Sequence, residues 1–169
     1  MQIILFLMQV ITILLFIFII LSKFSIFHKI LLIGGIYGIS YLNGEFNDYL
    51  QLTIKHELKN KKLVEEKKKK GEKNIYGMPS GHAQYISFYM VLVYLFYANS
   101  SKDSRLFKGK YNYIYYLLLF IVILYIIEFI ICMVNNYHTP LEYVVGSVVG
   151  GIVSYLTFII LFLIIGKKN

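Results

Sequence analysis

Apolar residues are gathered along this chain rather than scattered. They form five runs, roughly Gln2–Leu21, Ile30–Ile54, Ser80–Ala98, Tyr111–Val134 and Leu141–Ile165, separated by charged or turn-forming segments. A helix needs about 20 residues to cross a bilayer core, and the runs are of that length. The second run turns polar in its second half. The pattern predicts an all-α fold: a polytopic transmembrane helix bundle of about five helices. The first run has no basic residue before it and no small-x-small cleavage site after it, so it is expected to stay as a membrane helix.

Alternating five helices across a membrane sorts the connections onto two faces. The chain start, the 59–78 loop and the 135–140 loop share one face. The 22–29 loop, the 99–110 loop and Lys167-Lys168 share the other. Each face carries eight basic residues, so the positive-inside rule does not set the orientation.

The net charge is +8, which raises the question of nucleic acid. Nine of the seventeen basic residues lie between Lys55 and Lys73, interleaved with Glu57, Glu65, Glu66 and Glu72. That is a solvated loop suited to anionic headgroups, and no nucleic-acid partner is expected. Cys132 is the only cysteine, so no internal disulfide is possible. No Cys/His cluster has metal-ligand spacing, so neither a metal nor another cofactor is expected. Arg105 stands against sixteen lysines, and Trp is absent. This is the composition of an AT-rich genome, in which Lys can stand where other lineages use Arg.

Three polar stations fall on the first face. Asn47, Gln51 and Lys55 recur every four residues and so share one side of a helix, with Asp48 beside them. They either face the bundle interior or mark a helix leaving the bilayer with a snorkelling Lys55. Pro79-Ser80-Gly81-His82 opens the third apolar run. Free N–H groups and the positive end of the helix dipole make such a place an anion site. Ser80 alone reads as a helix cap; Gly81 followed by a titratable imidazole suits proton transfer at an anion. Third come His138 and Glu142, four residues apart. A carboxylate there either reaches back to the imidazole, making it more basic, or merely favours a helix N-terminus. Glu128, inside the fourth run, is expected to point into the bundle, with Lys55 as a candidate partner.

In these residues the chain resembles the type 2 phosphatidic acid phosphatase superfamily, whose motifs are K-x6-R-P, P-S-G-H and S-R-x5-H-x3-D. The second is complete at Pro79–His82. The flanks look closest to the dolichyl diphosphatase branch: Tyr76-Gly77-Met78 before the motif, Gln84 after it, Asn47-Asp48 and Ile54-Lys55-His56 upstream, and Tyr137-His138-Thr139 before the Gly-rich 146–151 segment. The chain departs from the pattern at three places. Lys62-Leu63 stands for Arg-Pro, Ile131-Cys132 for Ser-Arg, and Glu142 for Asp. A Lys keeps the charge of an Arg without its planar fork. At Cys132 the cation is missing outright, a loss of about 3 kcal/mol of transition-state stabilisation if nothing replaces it. Asn135, Asn136 or a lysine of the 67–73 segment are candidate replacements.

The apolar pattern reads residues 1–29 as an N-terminal transmembrane helix with a short loop; the resemblance, which covers roughly residues 30–155, implies residues 30–165 as a lipid phosphatase-like membrane domain containing the 59–78 loop. It implies His138 as nucleophile, His82 as proton donor and Glu142 as the orienter of His138. Lys55, Lys62, Ser80 and the Gly81 N–H would bind phosphate oxygens, without metal. The two imidazoles should then lie within roughly 10 Å of each other at one face. The implied activity is hydrolysis of a polyprenyl (dolichyl-type) diphosphate to the monophosphate, in an endoplasmic-reticulum-like membrane if the source is eukaryotic or viral. Two alternatives stay open: a phosphatidate-type monophosphate phosphatase, and an inactive membrane relative.

Overall fold

The computed structural model describes residues 2–22, 24–54, 61–69, 76–100 and 113–166. Among these, the chain is helical throughout apart from its connections. The elements are α1 (Gln2–Leu21), α2 (Ile26–Ile54), α3 (Lys61–Lys69), α4 (Gly81–Ser100), α5 (Tyr113–Val134) and α6 (Pro140–Gly166). The five long helices follow the five apolar runs. Two of them, α5 and α6, are each long and apolar enough to cross a membrane on composition alone.

Two boundaries differ for local reasons. Helix α2 starts four residues earlier than its apolar run, because Ser25 accepts from the His28 and Lys29 N–H groups and caps it. Lys29 then turns back, and its Nζ donates to the Ile20 carbonyl at the end of α1. The basic segment, expected to be a loop, contains α3. Lys61, Glu65 and Lys69 follow one another at four-residue spacing, which supports a short helix through opposite charges.

The outside of the bundle is apolar. On α6, Val148 and Ile152 are more than half exposed, and Ile123 and Ile130 on α5 are similar. Apolar exposure along whole helices suits a lipid environment. Inside, the buried positions form seams at helical spacing. In α5 the seam is Ile114, Leu117, Ile121, Leu124, Glu128 and Cys132; in α2 it is Leu32, Ile36, Ser40, Asn43, Asn47 and Gln51. Both seams are apolar at one end and polar at the other. The polar ends meet at the start of α4 and α6, and there the side chains capable of chemistry collect.

Helices α4 and α6 pack backbone to backbone. A methyl group at Gly146 would strike the Ser80 carbonyl, and one at Gly150 would strike the Gln84 carbonyl. This four-residue glycine spacing is a small-xxx-small contact, which lets membrane helices approach closely. Ser87 Oγ adds a 3.0 Å bond to the Ser147 carbonyl across the same contact.

Candidate active site

His138 sits between two helix caps. Helix α5 ends in a Schellman motif: the Tyr137 N–H bonds the Cys132 carbonyl, the Asn136 N–H bonds the Met133 carbonyl, and Asn136 takes the left-handed conformation with φ 53°. Helix α6 begins with a capping box. The Glu142 N–H donates to Thr139 Oγ1 at 3.2 Å, and the Thr139 N–H donates to Glu142 Oε2 at 2.6 Å. The backbone on both sides of His138 is thus fixed. The same Glu142 oxygen lies 3.4 Å from His138 Nδ1. A neutral imidazole facing a carboxylate keeps its proton on that nitrogen, so the lone pair is left on Nε2.

The Pro79–His82 turn is held from both sides. The Ser80 N–H bonds the Glu142 carbonyl, tying the turn to the head of α6. Ser80 Oγ lies 3.4 Å from the Ala83 N–H, in the N-cap position of α4. From α2, the Gln51 amide donates to the Pro79 carbonyl at 2.7 Å, and the Asn47 amide to the same carbonyl at 3.3 Å. Asn47 also donates to Gln84 Oε1 at 2.7 Å, while the Gln84 amide donates to the side chain and backbone carbonyls of Asn43. All of these amides are buried, so the turn is fixed by a polar network inside the bundle.

These constraints bring the two imidazoles together. The rings of His82 and His138 have centroids 6.2 Å apart and meet edge to face. Their side chains are 23% and 9% exposed, so the pair opens to the outside mainly through His82. Glu128 lies on the inner side, 2% exposed. Its Oε1 accepts from Cys132 Sγ at 3.0 Å and lies 3.6 Å from His82 Nδ1. The donor atoms of His82, Glu128 and Cys132 all lie within 4.8 Å of one another, close enough for a metal ion. The thiol–carboxylate bond and the carboxylate–imidazole contact account for that convergence.

Of the residues expected at the site, His82, His138, Glu142, Ser80 and Gly81 are brought into one cluster. Lys55 lies outside the described residues. Lys62 is on α3, and its side chain also lies outside them. Asn47 and Gln51 face inward, where they hold the turn, whereas Asp48 is exposed. Asn135 and Asn136 are exposed; the Asn135 amide bonds back to the Ile131 carbonyl and Asn136 is the helix cap. Glu128 points into the bundle as expected, and its described neighbours include His82, Cys132 and Tyr143. Sequence reasoning missed Asn43, and it named Gln84 as a motif flank without its role in the amide network. The four-residue recurrence of Asn47 and Gln51 extends back to Asn43 and would have found it.

The family model of the PAP2 superfamily matches residues 48–165, well over half of the chain. The chain belongs to the PAP2 superfamily. Membership supports a lipid phosphatase-type hydrolase embedded in a membrane, in keeping with the helical bundle. Neither the curated proteins nor the solved structures contain a match.

Proposed function

We propose that this protein hydrolyses the diphosphate of a membrane polyprenyl (dolichyl-type) lipid to the monophosphate, through a phosphohistidine and without metal. The observation that carries the reading is the facing pair of imidazoles, with Glu142 behind His138 at one end of an apolar bundle. A lipid tail can stay in the bilayer beside such a site while only the headgroup enters.

In this reading His138 Nε2 attacks the terminal phosphorus. The bond from phosphorus to the bridging oxygen breaks, and His82 delivers a proton to that oxygen, releasing the lipid monophosphate. His82 then takes a proton from water, whose oxygen attacks the phosphohistidine. Inorganic phosphate leaves and His138 is restored. Glu142 holds Nδ1 of His138 and stabilises the charge that the ring acquires. The Gly81 N–H, Ser80, Lys55 and Lys62 neutralise the phosphate oxygens, which is most of what phosphoryl transfer requires. Residues 30–165 form the phosphatase domain, with residues 1–29 as an added helix.

The preference for a diphosphate rests on the residues flanking the motifs, Tyr76-Gly77-Met78 and Tyr137-His138-Thr139. Such an activity recycles carrier lipid in glycan assembly, in an endoplasmic-reticulum-like membrane for a eukaryotic or viral protein. The test is phosphate release by the purified protein in EDTA, from a polyprenyl diphosphate and from phosphatidic acid. Faster release from the diphosphate is expected. Faster release from phosphatidic acid assigns a monophosphate phosphatase instead, and no release from either assigns an inactive relative.

A further inference from the structure

We propose that Glu128 is a positioning residue for His82, the counterpart of Glu142 at His138. The proposal rests on His82 as the proton donor in the reading above.

Glu128 is the only carboxylate in α5, a helix otherwise apolar enough to span a membrane. It is 2% exposed. A carboxylate in such a place is costly unless a partner holds it. The Cys132 thiol is a weak donor and contacts only Oε1. Glu128 Oε2 makes no hydrogen bond by geometry among the described residues; the neutral Tyr143 hydroxyl lies beside the carboxylate but donates to the Tyr125 carbonyl. Among the described residues, the group nearby that can carry a full opposite charge is the His82 imidazole, 3.6 Å away through Nδ1. Distances of this kind shorten when substrate enters and the ring becomes charged.

The arrangement repeats at the second histidine. His138 meets Glu142 through Nδ1 at 3.4 Å, and His82 meets Glu128 through the same atom. In each imidazole a carboxylate oxygen faces Nδ1 at ion-pair distance, and the reaction is assigned to Nε2. The demands on the two rings are opposite. His138 must present a lone pair, and Glu142 serves it by holding the Nδ1 proton. His82 must present a proton, and Glu128 serves it by stabilising the imidazolium, with one proton on Nδ1 and the transferable one on Nε2.

Cys132 lies one turn after Glu128 and is neutral, so it donates a weak bond to the carboxylate without compensating its charge.

Phosphate release is measured for wild type, Glu128→Gln, Glu128→Asp, His82→Ala and the Glu128→Gln/His82→Ala double variant. The substrates are a polyprenyl diphosphate with its natural bridging oxygen and the analogue with sulfur at the bridge, whose leaving group needs no proton. Glu128→Gln should slow phosphate release from the oxygen-bridged diphosphate about tenfold, part of the 10²–10⁴ that a general acid supplies. Release from the sulfur-bridged analogue should change far less, Glu128→Asp should recover part of the loss, and Glu128→Gln should add nothing in the His82→Ala background. Equal losses with both leaving groups, or additive losses in the double variant, overturn the proposal. The ¹⁵N spectrum of histidine-labelled wild type reads the same contact without turnover. Neutral His82 should carry its proton on Nδ1; a proton on Nε2 overturns the proposal. A wild type that releases no phosphate while His82 is protonated on Nδ1 removes the phosphatase reading and leaves the Glu128–His82 contact standing.

Discussion

The Ser80 backbone fills the space that a side chain at Gly146 would need. One close contact between α4 and α6 thereby fixes the turn carrying His82 against the helix carrying Glu142.

Gly146→Val should therefore disturb both sides of the site. Overpacking of this kind costs about 1–3 kcal/mol. Thermal unfolding in detergent should show the loss, and phosphate release should fall with it. Gly34, beside which nothing lies within 4 Å of an added methyl group, is the control, and Gly34→Ala should leave both unchanged.

Asn47 supports the turn from α2. In Asn47→Ala, Gln84 Oε1 loses its 2.7 Å donor inside the bundle. A buried acceptor left unpaired costs about 1–3 kcal/mol. Asp48→Asn, at an exposed neighbour, should change the midpoint little. Equal midpoints for the two variants would show that the amide network does not hold the turn.

Much of the site was legible in the sequence, because motif and cap coincide there. Ser80 and Gly81 open α4, and Thr139 and Glu142 open α6, so the residues that mark helix starts also mark the chemistry. The five apolar runs fixed the helices for the same reason: each had to be long enough for a bilayer. Other features depend on tertiary packing. Nothing local says that Gln84 reaches Asn43 and Asn47, or that Glu128 faces His82, since those partners come from other helices. Helix α3 was hidden by its composition, because a lysine-rich segment looks solvated whether or not it is helical.

Cys132 is where the family pattern and the structure point in different directions. If the missing guanidinium is a deficit, Cys132→Arg restores a phosphate donor and raises activity. The structure favours the opposite result. Cys132 is fully buried and bonds Glu128, so an arginine there must displace its neighbours and draw the carboxylate from His82. Phosphate release by Cys132→Arg is expected to fall about tenfold or more, a rise of at least about 1.36 kcal/mol in the barrier. Higher release than wild type would show that the site lacks a cation and not a carboxylate.

The central claim is that His138 becomes covalently phosphorylated. The most direct measurement is acid-labile, base-stable ³²P trapped on the protein by rapid quenching, from polyprenyl diphosphate labelled in the terminal phosphate, in EDTA. Wild type should carry the label on His138. His82→Ala should still be labelled, more slowly, because a proton donor assists the transfer without forming the new bond. His138→Ala should carry no label and release no phosphate. Label or release at the wild-type level in His138→Ala, or loss of both in wild type on adding EDTA, would contradict the account.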